Sequence, residues 1–206
     1  MEKTYDHIDI NNEKVNKIIN AAFEVFTKND LEKASTNSVV KLAGVSRGLL
    51  YHYFKDKQDL FEFLIYFSIK AIAIDMEKRV DWEDSDLMNR MRQAIFLKFE
   101  IMSKYPYVID FFDKYSYQVT RTDIRKQTEE IAPGIRAKFY KHNLDFSLVK
   151  EGIDIKKMIN VVKLTLGGIV REHLDKAKIN NEPFELNKLI EECDEYIKFF
   201  RNQFYK

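Results

Sequence analysis

The side chains best suited to chemistry lie close together in the segment STNSVVKLAGVSRGLLYHYFKDKQDL, between Ser35 and Leu60. Residues 33 to 57 contain five cations and one acid, a net charge of +4, whereas residues 58 to 206 contain 25 of each sign. A local basic excess attracts phosphate groups and displaces their counterions, which supplies most non-specific affinity for DNA. The segment therefore favours binding to a nucleic acid.

Two short helices joined by a tight turn are predicted within this segment. Thr36, Asn37 and Ser38 offer N-caps for the first helix, Gly44 ends it, and Ser46 can cap a second helix. Glycine adopts the left-handed backbone of such a turn at little cost, and the proportions are those of a helix-turn-helix. The apolar residues expected to pack this pair against Phe23 and Phe26 are Val39, Leu42, Val45 and Leu50.

The polar residues of the second short helix match the needs of DNA recognition. Arg47 stands at its N-terminal end, which reaches base edges in the major groove, and arginine pairs best with guanine. Tyr51, His52 and Tyr53 bring hydroxyl and imidazole donors suited to phosphate oxygens. Lys41 and Lys55 are candidate phosphate contacts on charge alone.

Residues 43–60, AGVSRGLLYHYFKDKQDL, resemble the recognition segment of the TetR family of bacterial transcriptional regulators. The family pattern A-G-V-S-x-G-x-L-Y-x-(H/Y)-F-x-x-K-x-x-L is matched at every named position. The resemblance covers about 45 residues, roughly 15–60, and beyond them rests only on helical character and length. It implies a homodimeric, ligand-responsive regulator, most often a repressor, that binds a near-palindromic double-stranded DNA operator.

The resemblance also implies individual roles. Thr36 would hold a phosphate, and Ser46, Arg47 and Gly48 would face the bases, Gly48 because bare backbone can approach the groove closely. Lys57 would clamp a phosphate at the positive N-terminus of the following helix. The complete predicted DNA-binding set is Thr36, Ser46, Arg47, Gly48, Tyr51, His52, Tyr53, Lys55 and Lys57.

Helical periodicity runs through the rest of the chain, and no run of alternating β-branched residues occurs. The predicted fold class is all-α with about nine helices, one of them, from Asp123 to His142, interrupted at Pro133 and Gly134. Residues 1–56 are predicted to form a three-helix DNA-binding domain of the helix-turn-helix type. Residues 57–206 are predicted to form a helical bundle for ligand binding and dimerisation.

Two functions of this bundle follow from the resemblance. A small-molecule pocket, in a position common between bundled helices, would be lined by Ile72, Met76, Phe99, Met102, Tyr107, Phe111, Tyr117 and Thr165. The last two helices each carry an apolar stripe, which either packs inside the monomer or meets a second copy in a four-helix interface. The residues predicted for that interface are Leu166, Ile169, Val170, Leu174, Ile190, Cys193, Ile197 and Phe200.

Several classes of protein are disfavoured by the sequence. The single cysteine, Cys193, excludes a disulfide framework and fits a reducing cytoplasm, and His7, His142 and His173 show no metal-ligand spacing. No GxxxxGK[ST], GxGxxG or GxSxG motif occurs, so we expect no enzyme activity, cofactor or metal. The most apolar stretch, from Phe61 to Ile74, is too short to span a bilayer, so no membrane association is expected.

Two alternative functions remain at this point. The first is a DNA-binding protein of the same fold that has no small effector and acts through a protein partner. The second is an all-α ligand carrier or enzyme with a vestigial helix-turn-helix. The intact set of Arg47, Tyr51, Tyr53 and Lys57 disfavours the second alternative.

Overall fold

The computed structural model describes residues 5, 7–116, 121–180, 182 and 184–206. This part of the chain contains ten α-helices, a single 3₁₀ turn at Phe146–Leu148 and no β-strand, which confirms the all-α prediction. The helices are α1 (Glu13–Lys28), α2 (Thr36–Ala43), α3 (Arg47–Tyr53), α4 (Lys57–Arg79), α5 (Leu87–Lys104), α6 (Val108–Ser116), α7 (Arg121–Ile131), α8 (Ile135–Lys141), α9 (Ile155–Asn180) and α10 (Leu186–Phe204). The predicted interruption separates α7 from α8, at Gly134 with a φ of +73°.

Short polar side chains set the helix boundaries near the N-terminus. Asn12 caps α1 by accepting from the backbone N–H groups of Lys14 and Val15. Ser35 caps α2, one residue before the predicted candidates, because its hydroxyl accepts from the N–H of Ser38 at 3.1 Å. Gly44 then ends α2 in the left-handed conformation, with a φ of +65°.

Contacts divide the chain into two compact units. The first unit comprises residues 1–77 and 99–135. Its centre is an aromatic cluster of Phe23, Phe26, Phe61, Phe111 and Tyr115. Neighbouring rings in the cluster lie 4.8 to 6.4 Å apart, most of them edge to face. The cluster joins α1, α4 and α6, and α2 packs on α1.

The chain before α1 is fastened to the start of α4. The Tyr5 hydroxyl donates to Asp59 Oδ1 at 2.9 Å, and Asp59 Oδ2 accepts from the backbone N–H of Lys55 at 2.8 Å. Tyr5 and Asp59 are both buried, and burial, together with the hydrogen bond to Asp59, raises the pKa of Tyr5. This network holds the turn between α3 and α4 in place.

The second unit comprises residues 78–98 and 136–206, and α9 packs against α10 within it. Five residues predicted for the dimer interface lie in its interior: Leu166, Ile169, Cys193, Ile197 and Phe200. Val170, Leu174 and Ile190 are half-buried. These residues contribute to the seam between α9 and α10 within one chain, and the three half-buried ones keep surface that a second copy could contact.

Ion pairs fasten α5 to α10 in the second unit. Arg92 makes a two-pronged contact with Asp194, at 2.5 and 2.9 Å, and Arg201 pairs with Asp86. Asp86 also accepts from the Tyr205 hydroxyl at 3.1 Å. These contacts hold the last helix against the start of α5.

Arg90 is fully buried in the same unit. Its guanidinium donates to the backbone carbonyls of Asp84, Phe139 and His142 and stacks on Trp82 at 5.4 Å. Hydrogen bonding to carbonyls compensates for part of the desolvation of this charge. Arg90 thus ties the connection before α5 to α8.

Neither a membrane span nor a metal cluster is found in the described residues. No helix there is long and apolar enough to cross a bilayer. No three side chains of the metal-binding types gather in that part of the chain.

Candidate nucleic-acid interface

Helix α3 has one buried and one exposed face. Leu50, as predicted from the apolar pattern, and Phe54, just after the helix, are fully buried. Arg47, Gly48, Tyr51 and His52 are exposed. Because α3 has only seven residues, nearly all of its polar surface consists of predicted DNA contacts.

Three of the predicted contacts touch one another on this face. The hydroxyls of Thr36 and Tyr51 are 3.0 Å apart, and the Arg47 guanidinium lies over the Tyr51 ring at 5.4 Å from its centroid. Hydrogen bonding from Thr36 and then from Arg47 lowers the pKa of Tyr51. The group links the first turn of α2 to α3, so its side chains are partly ordered before any partner arrives. We call Thr36, Arg47 and Tyr51 the reading cluster.

Gly48 lies beside the reading cluster and faces open space. A Cβ at this position would meet no atom of the described residues within 4 Å. Packing within the chain therefore gives no reason for a glycine here. Close approach of a partner surface to the helix backbone would give one.

The remaining predicted contacts of α3 are placed as follows. Ser46 caps the helix, because its hydroxyl oxygen accepts from the N–H of Leu49 at 3.2 Å. The exposed His52 ring meets the half-buried Tyr53 ring edge to face at 4.9 Å. Lys55 has an exposed side chain, and its backbone N–H is held by Asp59.

Lys57 has a role within the chain that the sequence did not reveal. Its ammonium donates to the carbonyls of Leu31 at 2.7 Å and Glu32 at 3.1 Å, in the connection between α1 and α2. A lysine has three N–H donors, so this arrangement leaves one for a phosphate. Lys57 therefore ties the start of α4 to the helix-turn-helix. No local pattern signals this contact, since its partners lie about 25 residues away.

A second tie, also missed by sequence reasoning, joins α6 to the end of α1. The Lys114 ammonium donates to the carbonyls of Phe26, Thr27 and Asn29, at 3.2, 3.0 and 2.6 Å. The Tyr115 hydroxyl donates to the Phe26 carbonyl at 2.9 Å. Carbonyls at a helix C-terminus lack hydrogen-bond partners within the helix, and the negative end of the helix favours a cation. The Lys114 ammonium supplies both the hydrogen bonds and the positive charge.

The residues predicted for the ligand pocket differ in how far they are buried. Phe99, Met102 and Phe111 are buried, and Phe111 belongs to the aromatic cluster, where it has no exposed surface to offer a ligand. Tyr107 is half-buried, with the Lys28 ammonium 5.2 Å from its ring centroid. Ile72, Met76 and Thr165 are also half-buried, and Tyr117 lies outside the described residues.

Tyr107 lines an open groove of about 780 Å³ between α1, α2 and the turn that joins α5 to α6. Leu42, predicted to be a core residue, is exposed and lines the same groove. That prediction was wrong because Val39 and Ala43 supply the buried face of α2.

Comparisons with known proteins agree with this geometry. Residues 18–64, which span α1 to the first part of α4, match the family model of bacterial regulatory proteins of the tetR family. This segment is therefore the N-terminal DNA-binding segment described by the TetR family model. The chain is 22% identical over 176 residues to the fatty acid metabolism regulator protein of Bacillus subtilis (strain 168), covering 84% of this chain and 88% of that protein.

Solved structures share the fold along the whole chain. A TetR family transcriptional regulator from Chloroflexus aurantiacus J-10-FL has a TM-score of 0.62 at 18% identity, covering 100% of this chain and 98% of that one. The fatty acid degradation regulator FadR from Bacillus halodurans has a TM-score of 0.56 at 16% identity, covering 90% and 97%. The TetR-family relatives are transcriptional regulators rather than enzymes, and this protein is a DNA-binding regulator of that kind.

Proposed function

We propose that this TetR-family protein binds a near-palindromic operator as a homodimer and releases it when a small molecule binds. The DNA-binding domain is residues 1–56, and residues 57–206 bind the effector and dimerise. The observation that carries the proposal is the exposed reading cluster beside the open backbone of Gly48. The cluster supports DNA binding, and repression by occupation of the operator is proposed because it is the usual outcome in this family.

Within this proposal, Arg47 reads a base and the surrounding groups hold phosphates. The Tyr51 ring supports the guanidinium of Arg47, and Thr36 orients Tyr51 from the neighbouring helix. An arginine held in one orientation loses less side-chain entropy when it pairs with guanine. Lys57 adds one ammonium donor at the positive end of α4.

The test is fluorescence anisotropy of the protein on its own upstream intergenic DNA and on scrambled DNA, each at two salt concentrations. We expect tight binding that prefers the native sequence. Arg47→Ala should lose about tenfold or more on the operator and much less on scrambled DNA, because a good base contact contributes about 1–3 kcal/mol of discrimination. Lys33→Ala, which removes an exposed cation of the same basic segment outside α3, is the matched control. Equal losses on both DNAs would contradict base reading by Arg47.

The proposed dimer uses an apolar surface different from the stripes predicted from sequence. Val161, Leu164, Tyr196 and Phe199 are exposed by 44, 63, 39 and 53% on the paired helices α9 and α10. Gly168 follows Leu164 by four residues, on the same face of α9, and a Cβ there would meet nothing within 4 Å. An exposed apolar patch with a glycine that permits close approach is suited to a second copy of the same helices. Two DNA-binding domains would then face two half-sites.

Release of the operator follows from a change in the separation of the two α3 helices. A ligand beside α4 would tilt that helix and move Lys57, which is hydrogen-bonded to the connection between α1 and α2. Suppose that the ligand binds more tightly, by about 3 kcal/mol, to the dimer in which the separation of the two α3 helices does not fit the operator. It would then weaken operator binding roughly a hundredfold. The relative from Bacillus subtilis is named for fatty acid metabolism, which supports testing genes of that process first.

A further inference from the structure

Tyr5, in the chain before α1, lies against a single face of α4. Its ring meets the rings of Phe63 and Tyr66, with centroids 5.3 and 5.4 Å apart. Its hydroxyl donates to Asp59 Oδ1 at 2.9 Å. Asp59, Phe63 and Tyr66 follow one another at spacings of four and three residues, so they share one face of the helix. Tyr5 therefore covers the N-terminal part of α4 on that face.

Asp59 connects this contact to the turn between α3 and α4. Its second carboxylate oxygen, Oδ2, accepts from the backbone N–H of Lys55 at 2.8 Å, while its own N–H donates to Asp56 Oδ1 at 2.9 Å. Reciprocal bonds of this kind cap the start of a helix, and at a surface water would solvate the remaining oxygen. Here Asp59 is buried, and that oxygen accepts from a tyrosine 54 residues earlier. Helix capping explains the contacts with Lys55 and Asp56 but not the contact with Tyr5.

An apolar contact connects Tyr5 to the same turn. Phe63, against which the Tyr5 ring packs edge to face, also meets Phe54 with ring centroids 5.0 Å apart. Phe54 is the fully buried C-cap residue of α3. Tyr5 thus reaches the C-terminal end of α3 by a polar route through Asp59 and by an apolar route through Phe63. Two contacts at different points restrict the rotation that a single contact would allow.

We infer that Tyr5 is a positioning residue for operator recognition, because it fixes the angle between α3 and α4. This inference rests on the proposed operator binding and assigns Tyr5 no contact with DNA. Arg47 begins α3 at the end away from this turn, about 9 Å from Tyr53 at about 1.5 Å per residue. A tilt of α3 by about 10° would therefore move Arg47 by about 1.5 Å, whereas N–H···O hydrogen bonds form over a range of only about 0.5 Å.

Two measurements on the full-length protein test this inference with Tyr5→Phe, which keeps the ring and removes the hydroxyl. The first is hydrogen–deuterium exchange of the Lys55 amide, followed by NMR without DNA. We expect exchange at Lys55 to accelerate about tenfold, because Asp59 loses a donor that orients its carboxylate, while the amides of α1 change by less than about twofold.

The second measurement is fluorescence anisotropy on the operator and on scrambled DNA. Operator affinity of Tyr5→Phe should fall about tenfold, because a misplaced Arg47 loses its discrimination between bases. Affinity for scrambled DNA should fall by less than about twofold, because contacts with phosphates depend on charge more than on exact orientation. Unchanged exchange at Lys55 in Tyr5→Phe would overturn the inference, as would unchanged operator affinity.

Tyr115→Phe is the matched control. It removes another buried tyrosine hydroxyl of the same unit, one that donates to the Phe26 carbonyl at the same distance of 2.9 Å. This variant should lower the melting temperature about as much as Tyr5→Phe, yet keep the Lys55 exchange rate and the preference for the operator. An equal loss of operator preference in both variants would contradict the inference, since the loss would then follow stability and not the position of α3.

Asp59→Asn tests whether Tyr5 acts through Asp59. The side-chain amide of asparagine has one oxygen, so it cannot accept from the Tyr5 hydroxyl and the Lys55 N–H through separate oxygens. If the two residues act through one link, the double variant should lose no more operator affinity than the weaker-binding single variant, within about twofold. Losses that multiply in the double variant would show independent effects and would overturn the proposed link.

The measurement at Lys55 also keeps this inference separate from the proposed function. A wild type that does not prefer the operator over scrambled DNA would contradict the proposed function. Exchange at Lys55, which is measured without DNA, would still show whether Tyr5 fixes the turn between α3 and α4. A wild type that prefers the operator, together with a Tyr5→Phe variant that does so equally, would contradict the role of Tyr5 alone.

Discussion

At the scale of single residues, several side chains serve both the fold and the predicted DNA surface. Ser46 is predicted to face bases and also caps α3, while Lys57 is predicted to hold a phosphate and also binds two backbone carbonyls. Substituting either one would disturb the helix-turn-helix as well as DNA binding. Gly48 is different, because no atom in the described part of the chain contacts its open side. A substitution at Gly48 therefore separates an effect on DNA binding from a disturbance of the helix-turn-helix most clearly.

We predict that Gly48→Ala stabilises the protein and weakens operator binding. Alanine is favoured over glycine inside a helix by up to about 1 kcal/mol, and no atom obstructs the new methyl group. On DNA, the methyl group would hold the helix backbone away from the groove, and we expect at least a tenfold loss of affinity. Thermal melting and anisotropy on the operator measure the two effects. Undiminished operator affinity would show that the backbone at Gly48 does not approach DNA closely.

At the scale of elements, long-range side-chain contacts connect helices whose order along the chain gives no hint of their pairing. Lys114 connects α6 to the C-terminus of α1 across about 85 residues. Arg201 connects α10 to Asp86, just before α5, across 115 residues. Each contact satisfies polar groups that would otherwise be partly buried without partners.

Lys114→Met should lower the free energy of unfolding by about 1–3 kcal/mol, because it leaves the carbonyls at the end of α1 without their charged donor. Urea denaturation followed by circular dichroism measures this loss. Lys126→Met, at an exposed lysine of α7, is the control and should change stability by less than 0.5 kcal/mol, roughly the limit for surface sites. Equal stability of the two variants would show that the contact at α1 adds nothing.

Asp86 predicts a specific response to acid. Burial raises its pKa, but this is outweighed by hydrogen bonds from Arg201 and the Met88 N–H and by the charge of Arg201, so the pKa is lowered overall. A lowered pKa in the folded state means that the charged carboxylate stabilises the fold above the unfolded pKa of 3.8 and ceases to do so as pH falls through the folded value.

Asp86→Asn should therefore cost about 1 kcal/mol near neutral pH, as expected for a partly screened ion pair, and progressively less below about pH 3.8. Urea denaturation at a series of pH values measures the difference. Glu172→Gln, which removes an exposed pair with Lys176, should cost less throughout. If the difference in free energy of unfolding between wild type and Asp86→Asn does not change with pH, the charged carboxylate of Asp86 does not stabilise the fold as predicted.

The elements were predictable to the extent that their signals are local. Asn12, Gly44 and Ser46 mark helix ends through contacts within three residues, and the apolar spacing correctly buries Leu50. The reading cluster was predictable by residue type, but the contact of Thr36 with Tyr51 depends on how two helices meet. The outward apolar face of α9 was not predictable, because Val161 and Leu164 differ from the buried Val162 and Leu166 only in direction.

At the scale of the whole molecule, the proposed dimer depends on that outward face. We predict that Leu164→Arg or Phe199→Arg yields monomers in analytical ultracentrifugation at concentrations where the wild type is dimeric, since a buried unpaired charge opposes association. Operator affinity should fall in the variants that no longer form the dimer. Leu148→Arg, at a leucine exposed by 41% in the 3₁₀ turn, is the matched control and should leave both unchanged. Wild-type mass for both interface variants would locate the dimer contact elsewhere.

The aromatic cluster also limits how this regulator can be recombined with others. Phe23 and Phe26 of α1 share their core with Phe61 of α4 and with Phe111 and Tyr115 of α6. A chimera spliced at residue 56 would set half of that core against side chains selected for another protein. A graft of this DNA-binding head onto a foreign sensor should therefore carry residues 99–135 with the first 77. The transplantable module is discontinuous in sequence, even though the DNA-binding segment itself is not.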